Sequence, residues 1–364
     1  MMVVSKQLQI FFDFLRFCIG SAKDIPSSLK EADWEELYAI AQKQCLVGIL
    51  FDGIKKLPAE HVGMKKELLL QWMAESQMLE KANVRLDDAA IQVSEWFRKK
   101  GFRTCILKGQ GNALMYPNPY SRTPGDIDIW VEGGDKRVIS FVRSISPHEK
   151  ACYHHIEFPS YKGVEVEVHY RPSFLLCFWH NRKLQKYYER VKKEQFSHRV
   201  MLGEQGEIAI PTVEFNLIFQ LTHIFSHLMN EGIGLRQLLD YYYVLISDDL
   251  LLIRDRVQKE LKELGLWKFA GGIMYIMQEV FGMPASRLIV PPNEKYGKFV
   301  LNEVLEAGNF GRHDARNRFG RSQLGHNLQR VYRDIRLVRY FPAEALCEPF
   351  FRIWHFFWRV KNKK

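Results

Sequence analysis

Two aspartates separated by one residue, Asp126 and Asp128, are the residues of this sequence best suited to chemistry. The segment that carries them is typical of a strand, where alternate side chains share a face, so the carboxylates lie about 6.5–7 Å apart along the backbone. The apolar residues between and after them point the other way, into a core. Two carboxylates on one exposed face repel each other unless a cation lies between them, and Mg²⁺ favours such a hard oxygen site. The pair therefore predicts a site for Mg²⁺ or Mn²⁺.

A second acidic strand is predicted between Val164 and Tyr170, where polar and apolar residues alternate strictly. Glu165, Glu167 and His169 share its polar face. If this strand pairs beside the aspartate strand, three carboxylates converge, and three carboxylates can hold two divalent ions. Two ions can activate an attacking oxygen and stabilise the leaving phosphate oxygen in an in-line displacement. On the pattern alone, either glutamate can supply the third carboxylate, and His169 can contact a phosphate, orient a ligand or hydrogen-bond in the core.

A phosphate-binding turn is predicted just upstream, where Lys108 and Gly109 follow a short apolar strand. Glycine permits a close approach of the backbone, and the following helix offers N–H groups to an anion. Lys108 is placed to add a positive charge that a triphosphate needs even when metal ions are bound. Arg122 lies in the loop that returns to the aspartate strand, so we expect it to reach a phosphate as well.

These residues together resemble a known group of enzymes. The matching segments are Lys108-Gly109, the run from Arg122 through Asp126 and Asp128 to Val131, and the Glu167-Val-His169 triplet. They are similar to the uncharacterised nucleotidyltransferase family, which belongs to the DNA polymerase beta-like nucleotidyltransferase superfamily. The resemblance extends to residues 34–41 and 234–240 and covers most of the chain. Lys108-Gly109 stands where many superfamily members have Gly-Ser, so the usual serine contact to phosphate is missing from this pattern.

The resemblance implies a magnesium-dependent transfer of a nucleoside monophosphate from a nucleoside triphosphate to an acceptor. Asp126, Asp128 and Glu167 are then the metal ligands and catalytic residues, because Glu-x-His is the form that the family carries. Lys108, Gly109, Arg122 and His169 are the expected contacts of the nucleotide. The acceptor is a small molecule, a protein or an RNA. A metal-dependent phosphohydrolase is a further possibility, which its products would distinguish.

Composition is ordinary for a globular protein, with 47% hydrophobic and 26% charged residues among 364. Charge interrupts every apolar stretch well before the roughly 18 residues of a membrane span, so we expect no stable membrane insertion. Six cysteines show no metal-binding or disulfide spacing, which fits the reducing cytoplasm. Residues 312–364 contain 13 Lys or Arg against 4 Asp or Glu and so carry nearly all of the net charge of +10.

The periodicity predicts an α+β protein, with a mixed-sheet core between two helical regions. The predicted units are a helical region over 1–100, a nucleotidyltransferase α/β core over 101–210 and a helical region with a basic tail over 211–364. A single helix is expected over 234–251. An all-α protein is the competing fold class.

Several residues outside the core have two interpretations. His223 and His227 are four residues apart, and we expect them to line the cleft or to lie in the core rather than to hold a metal. Arg236 and Asp240 have the same spacing and are expected to form an intrahelical pair. Apolar residues of helical spacing between 324 and 338 predict a packed helix with a solvated basic face. The alternative function is a catalytically silent scaffold that binds a partner or RNA, or an anionic membrane, through this basic region.

Overall fold

A four-stranded sheet lies at the centre of the chain and carries both acidic segments. The computed structural model describes residues 5–204, 206–314, 316 and 323–362. The strands of this sheet are β1 (Thr104–Ile106), β2 (Ile127–Val131), β3 (His155–Tyr161) and β4 (Val164–His169), in the order β1-β2-β4-β3. The strands β2 and β4 are parallel, whereas β1 pairs antiparallel to β2 and β3 antiparallel to β4. A separate hairpin joins β5 (Arg199–Leu202) and β6 (Gly206–Ala209).

Helices precede, connect and follow these strands. The helices before the sheet are α1 (Lys6–Cys18), α2 (Trp34–Gln44), α3 (Val47–Ile54) and α4 (Lys66–Lys99). Those between the strands are α5 (Gln110–Ala113), α6 (Gly134–Ile145) and α7 (Phe178–Ser197). Those after the strands are α8 (Val213–Asn230), α9 (Leu235–Leu245), α10 (Leu250–Glu263), α11 (Trp267–Glu279), α12 (Glu294–Ala307), α13 (Gln323–Leu337) and α14 (Pro342–Lys361). The predicted α+β class is confirmed, and the all-α alternative is wrong.

The core beneath the sheet forms as the alternation predicts. Ile127, Ile129 and Val131 are fully buried, and Val166 and Val168 of the neighbouring strand pack in the same cluster. The C-terminal half of α4 covers this cluster with its apolar side chains. Burying such a side chain contributes about 1.5–3 kcal/mol, so this face fixes the strand register and directs the alternate acidic residues to the opposite face.

The predicted helix over 234–251 is wrong in its extent. The helix α9 ends at Leu245, and α10 begins at Leu250 after a short turn. Ser247, Asp248 and Asp249 fill this turn; such residues compete for backbone hydrogen bonds and favour turns over helix interiors. The predicted Arg236–Asp240 pair is also wrong, because Asp240 pairs with Arg122 and Arg236 donates to the carbonyls of Thr123 and Pro124.

The predicted helix at the basic tail exists as α13, and Arg330 is exposed as predicted, but the predicted orientation is wrong for several other residues of this helix. Leu328, Val331 and Ile335 are exposed, whereas Arg333 is buried, with only 7% of its surface exposed. Arg333 donates to the carbonyl of Glu231, and Arg336 pairs with the buried carboxylate of Glu303. Buried acceptors and a buried acid draw these arginines inward, since such groups need partners. The side chain of Leu324 lies outside the described residues.

Among the described residues, no helix combines the length and the apolar composition that crossing a membrane requires.

Candidate active site

Three carboxylates converge at the end of the central sheet. The parallel pairing of β2 and β4 sets Asp128 opposite Glu167, and Asp126 immediately precedes β2. One oxygen of each of Asp126, Asp128 and Glu167 lies within 4.8 Å of the others. Glu165 is two residues further back on β4, and its side chain is exposed. The register thus brings Glu167 rather than Glu165 to the aspartates.

Asp128 is the most enclosed of the three acids, with 1% of its surface exposed. His169 Nε2 donates to its Oδ1 atom at 2.9 Å and lies 3.3 Å from Glu167 Oε2. Lys108 Nζ lies 3.0 Å from the other oxygen, Oδ2. One imidazole and one ammonium group therefore hold the carboxylate from two sides.

These contacts shift the pKa values of the partners in opposite directions. Burial alone would raise the pKa of the Asp128 carboxyl, but Lys108 and His169 outweigh it and hold that pKa below its usual value. Burial likewise opposes the charged form of His169, but hydrogen bonds to Asp128 and Glu167 raise its pKa to about 9. Burial lowers the pKa of Lys108, and the three acids raise it above its ordinary value. The cluster is therefore an ionised network at neutral pH.

Lys108 and Gly109 lie beside the acids, as the sequence predicts. Gly109 has φ +67°, a conformation that glycine adopts without strain, and a Cβ there would lie 3.7 Å from the carbonyl of Asp126. The following helix, α5, is only four residues long. Lys108 Nζ also donates to His223 Nε2 at 3.0 Å, so the ammonium group connects the sheet to α8.

Two residues of the site were missed from the sequence: His155, at the start of β3, and His154, just before it. His155 Nδ1 lies 3.4 Å from Glu167 Oε2 and 3.0 Å from His154 Nε2. Burial is the main reason why the pKa of His155 falls to about 4 and that of His154 falls well below its usual value. Pro159 interrupts the strand pattern, which is permitted because β3 is an edge strand. The two adjacent histidines in the sequence are the feature from which their place in the site could have been predicted.

His223 and His227 of α8 line the cavity above the acids, as expected. Their Nε2 atoms are 3.1 Å apart, and His227 Nδ1 lies 3.4 Å from Glu231. Burial and the neighbouring Lys108 hold the pKa of His223 well below its usual value. This favours the neutral form of His223, whose Nε2 atom accepts the hydrogen bond from Lys108.

Arg122 lies behind the wall of the site. Its Nε and Nη2 atoms each donate to Asp240 at 2.8 Å, and both side chains are buried. Tyr116 donates to the same carboxylate at 2.7 Å. Arg236 is buried beside Gly125, and its Nε atom has no hydrogen-bond partner among the described residues. Arg236 therefore keeps donor capacity at the cavity wall, while Arg122 is engaged by Asp240.

The cavity over the acids has a volume of about 1060 Å³ and is bounded by the sheet, α8 and α14. Ligand pockets commonly measure about 300–1,000 Å³, so this one has room for a nucleotide and a second molecule. Its wall on α14 contains Phe351, Arg352, His355 and Arg359. The predicted cleft between the central sheet and the C-terminal helices is therefore present.

The donor set fits a hard divalent ion. Asp128 Oδ2 is buried, and the Lys108 ammonium lies 3.0 Å from it. Together with oxygens of Asp126 and Glu167 it forms an all-oxygen set, which suits Mg²⁺ or Mn²⁺. Glu167 also groups with His155 and His169, and that nitrogen-containing set would favour a transition metal instead.

A family model described as "Uncharacterised nucleotidyltransferase" matches residues 30–282. The chain belongs to this family. The matched region contains the acids, Lys108 and four of the cavity histidines, namely His154, His155, His223 and His227, and it ends before α12. The chain is also similar to the crystal structure of an antigenic nucleotidyltransferase-like protein from Paracoccidioides brasiliensis, with 14% identity and a TM-score of 0.29 over 50% of this chain and 90% of that chain. No curated protein matches.

Proposed function

We propose that this protein is a magnesium-dependent nucleotidyltransferase that transfers a nucleoside monophosphate from a nucleoside triphosphate to an acceptor hydroxyl. The observation that supports this most is the convergence of Asp126, Asp128 and Glu167, with one oxygen of each within 4.8 Å of the others. These three residues would hold Mg²⁺ or Mn²⁺. When bound, the ions would supply Lewis-acid stabilisation of the phosphate oxygens.

In the proposed reaction, the acceptor oxygen forms a bond to the α-phosphorus, and the bond from that phosphorus to the α,β-bridging oxygen breaks. Pyrophosphate leaves, and the acceptor hydroxyl loses its proton. Glu167 Oε2 is the proposed first acceptor of that proton, with His155 Nδ1 3.4 Å away. His169 holds Glu167 and Asp128 in place through its Nε2 atom.

The proposed phosphate contacts are Lys108 and the backbone of Gly109, because both ring nitrogens of His169 already contact Asp128, Glu167 and the carbonyl of Arg171. Lys108 is suited to this role because its ammonium group already lies among three acids and can turn to an incoming triphosphate. For Arg122 we propose an indirect role, in which its pair with Asp240 fixes the loop that leads to Asp126. Arg236 lines the cavity and is a further candidate for a phosphate contact.

The six cysteines all have free thiols. This supports the proposed location in the reducing cytoplasm.

Titration of the purified protein with Mn²⁺, followed by electron paramagnetic resonance, tests the proposed metal site. We expect Asp128→Asn and Glu167→Gln to weaken Mn²⁺ binding at least about tenfold, because each removes a charged oxygen ligand. Glu165→Gln is the matched control, since Glu165 lies on the same strand and lines the cavity outside the cluster. Equal weakening in all three variants, or in none, would refute the assignment of the ligands.

A further inference from the structure

A second group of metal-binding side chains lies between α7 and α14, outside the acid cluster. Cys177 and His180 are three residues apart at the start of α7, and Glu344 and Cys347 are three residues apart in the first two turns of α14. Residues with this spacing on a helix share a face. Cysteine spacing alone does not reveal the pattern, because each thiol is spaced from a histidine or a glutamate rather than from another cysteine.

These side chains meet where the two helices face each other. One ligand atom from each of Cys177, His180 and Glu344 lies within 4.8 Å of the other two. The Cys347 thiol adjoins Cys177, and burial together with this neighbouring thiol raises the pKa of Cys347 to about 11. Two thiols, an imidazole and a carboxylate are thus gathered between α7 and α14.

Glu344 is a buried carboxylate that needs a cation. Its Oε2 atom accepts hydrogen bonds from the backbone N–H groups of Leu176 and Cys177, and its Oε1 atom lies 3.3 Å from His180 Nδ1. Among the described residues, its ion pairs include no lysine or arginine. Buried charges in proteins are paired or coordinate metals. A divalent ion between Oε1 and Nδ1 would supply the positive charge and leave the imidazole neutral, which is the form that binds metals.

We propose that Cys177, His180, Glu344 and Cys347 bind one Zn²⁺ ion that ties α14 to α7. Structural Zn²⁺ sites are tetrahedral, and their ligands are thiolate, imidazole and carboxylate groups. The two sulfur donors favour Zn²⁺ over Mg²⁺. The thiolate is the ligating form, so binding would release the two thiol protons to solvent.

The proposed ion would fix one wall of the cavity over the acids. Glu344 and Cys347 precede Phe351 and His355 on α14, and the latter two line that cavity. The zinc group shares no residue with the acid cluster. Glu344 and Cys347 also lie outside the family-matched residues 30–282, so this proposal does not depend on the proposed nucleotidyl transfer.

Metal analysis of the full chain tests the proposal. Protein expressed with Zn²⁺ in the medium and purified without a chelator should contain one Zn²⁺ ion per chain by plasma mass spectrometry. Co²⁺ added to the metal-free protein should give the thiolate-to-metal absorption and the intense visible bands of tetrahedral coordination. A chelator should lower the thermal unfolding midpoint of the wild-type protein, because an ion that binds only the folded chain stabilises it.

Cys347→Ser and His180→Gln should weaken Zn²⁺ binding at least about tenfold, because loss of a ligand should cost no less than loss of an outer-shell partner of a metal site. A chelator should no longer change their unfolding midpoints. Cys45→Ser is the matched control, since Cys45 is also a half-buried free thiol and lies outside the group. This variant should retain Zn²⁺ and its response to the chelator.

Three outcomes would overturn the proposal. The first is a wild-type protein without Zn²⁺ whose unfolding midpoint is unaffected by Zn²⁺ or a chelator. The second is a disulfide between Cys177 and Cys347 in mass spectrometry of the unreduced protein. The third is Zn²⁺ that Cys347→Ser retains and Cys152→Ser loses, which would assign the ion to the group of Cys152 with His154 and His155 instead.

Discussion

Removing one partner of the buried Arg122–Asp240 pair should destabilise the fold far more than a surface substitution would. Both hydrogen bonds are 2.8 Å long, and the side chains are 4% and 8% exposed. Asp240→Asn leaves the Arg122 guanidinium buried without its counter-charge, which typically costs about 3–5 kcal/mol of unfolding free energy. Arg122→Met leaves Asp240 with Tyr116 and the nearby Arg236, so its cost should lie at the lower end of that range.

A double-mutant cycle measures this coupling directly. Because Arg122→Met/Asp240→Asn leaves neither charge, its cost should be below the sum of the single costs by at least about 1.5 kcal/mol. Urea unfolding followed by circular dichroism gives the free energies, and titration with a fluorescent triphosphate gives the affinity of each folded variant. If Arg122→Met weakens triphosphate binding but changes the unfolding free energy by less than about 0.5 kcal/mol, the indirect role proposed for Arg122 is refuted.

Two further predictions concern single charged groups. Lys108→Met should weaken triphosphate binding by about 1.5–3 kcal/mol and leave nucleoside binding nearly unchanged, since the lysine is proposed to contact phosphates. Calorimetry with both ligands checks this, and equal weakening of triphosphate and nucleoside binding would contradict it. Burial raises the pKa of the Asp87 carboxyl from 3.8 to about 6, so ionisation of this group opposes folding. The carboxyl is protonated in the folded protein at low pH, and unfolding free energy is lost as the pH rises through this range. Asp87→Asn should therefore raise the unfolding free energy at pH 7 by about 1–2 kcal/mol, after allowance for its partial exposure, and have little effect at pH 4. A variant that is equally or less stable than the wild type at pH 7 would exclude this interpretation.

Alternation along the strands predicted the face on which each acid lies, and the family resemblance selected Glu167. The apolar residues that alternate with the acids are buried in the core beneath the sheet. Their burial fixes the opposite face as the one on which Asp126, Asp128 and Glu167 meet. The choice of Glu167 over Glu165 depends on the register of β2 against β4, which a single strand pattern does not contain.

The features that escaped prediction depend on contacts between distant segments. The pair of Arg122 with Asp240 joins residues 118 positions apart, whereas helical spacing alone pointed to Arg236. The orientation of α13 depends on the buried acceptors and on Glu303 beneath it, so its apolar stripe faced outward against the usual rule for amphipathic helices. His154 and His155 reach the site through an edge strand that contains a proline.

The most direct test of the central claim follows the label of a nucleoside triphosphate during the reaction. The wild-type protein, with Mg²⁺ and cell extract, is incubated with triphosphate labelled at the α- or the γ-phosphate. We expect that only the α-label is transferred to an acceptor. Asp126→Asn and Asp128→Asn should abolish this transfer, whereas Glu165→Gln should retain it. Transfer or release of the γ-label alone, or full transfer by the aspartate variants, would contradict the proposed nucleotidyltransferase.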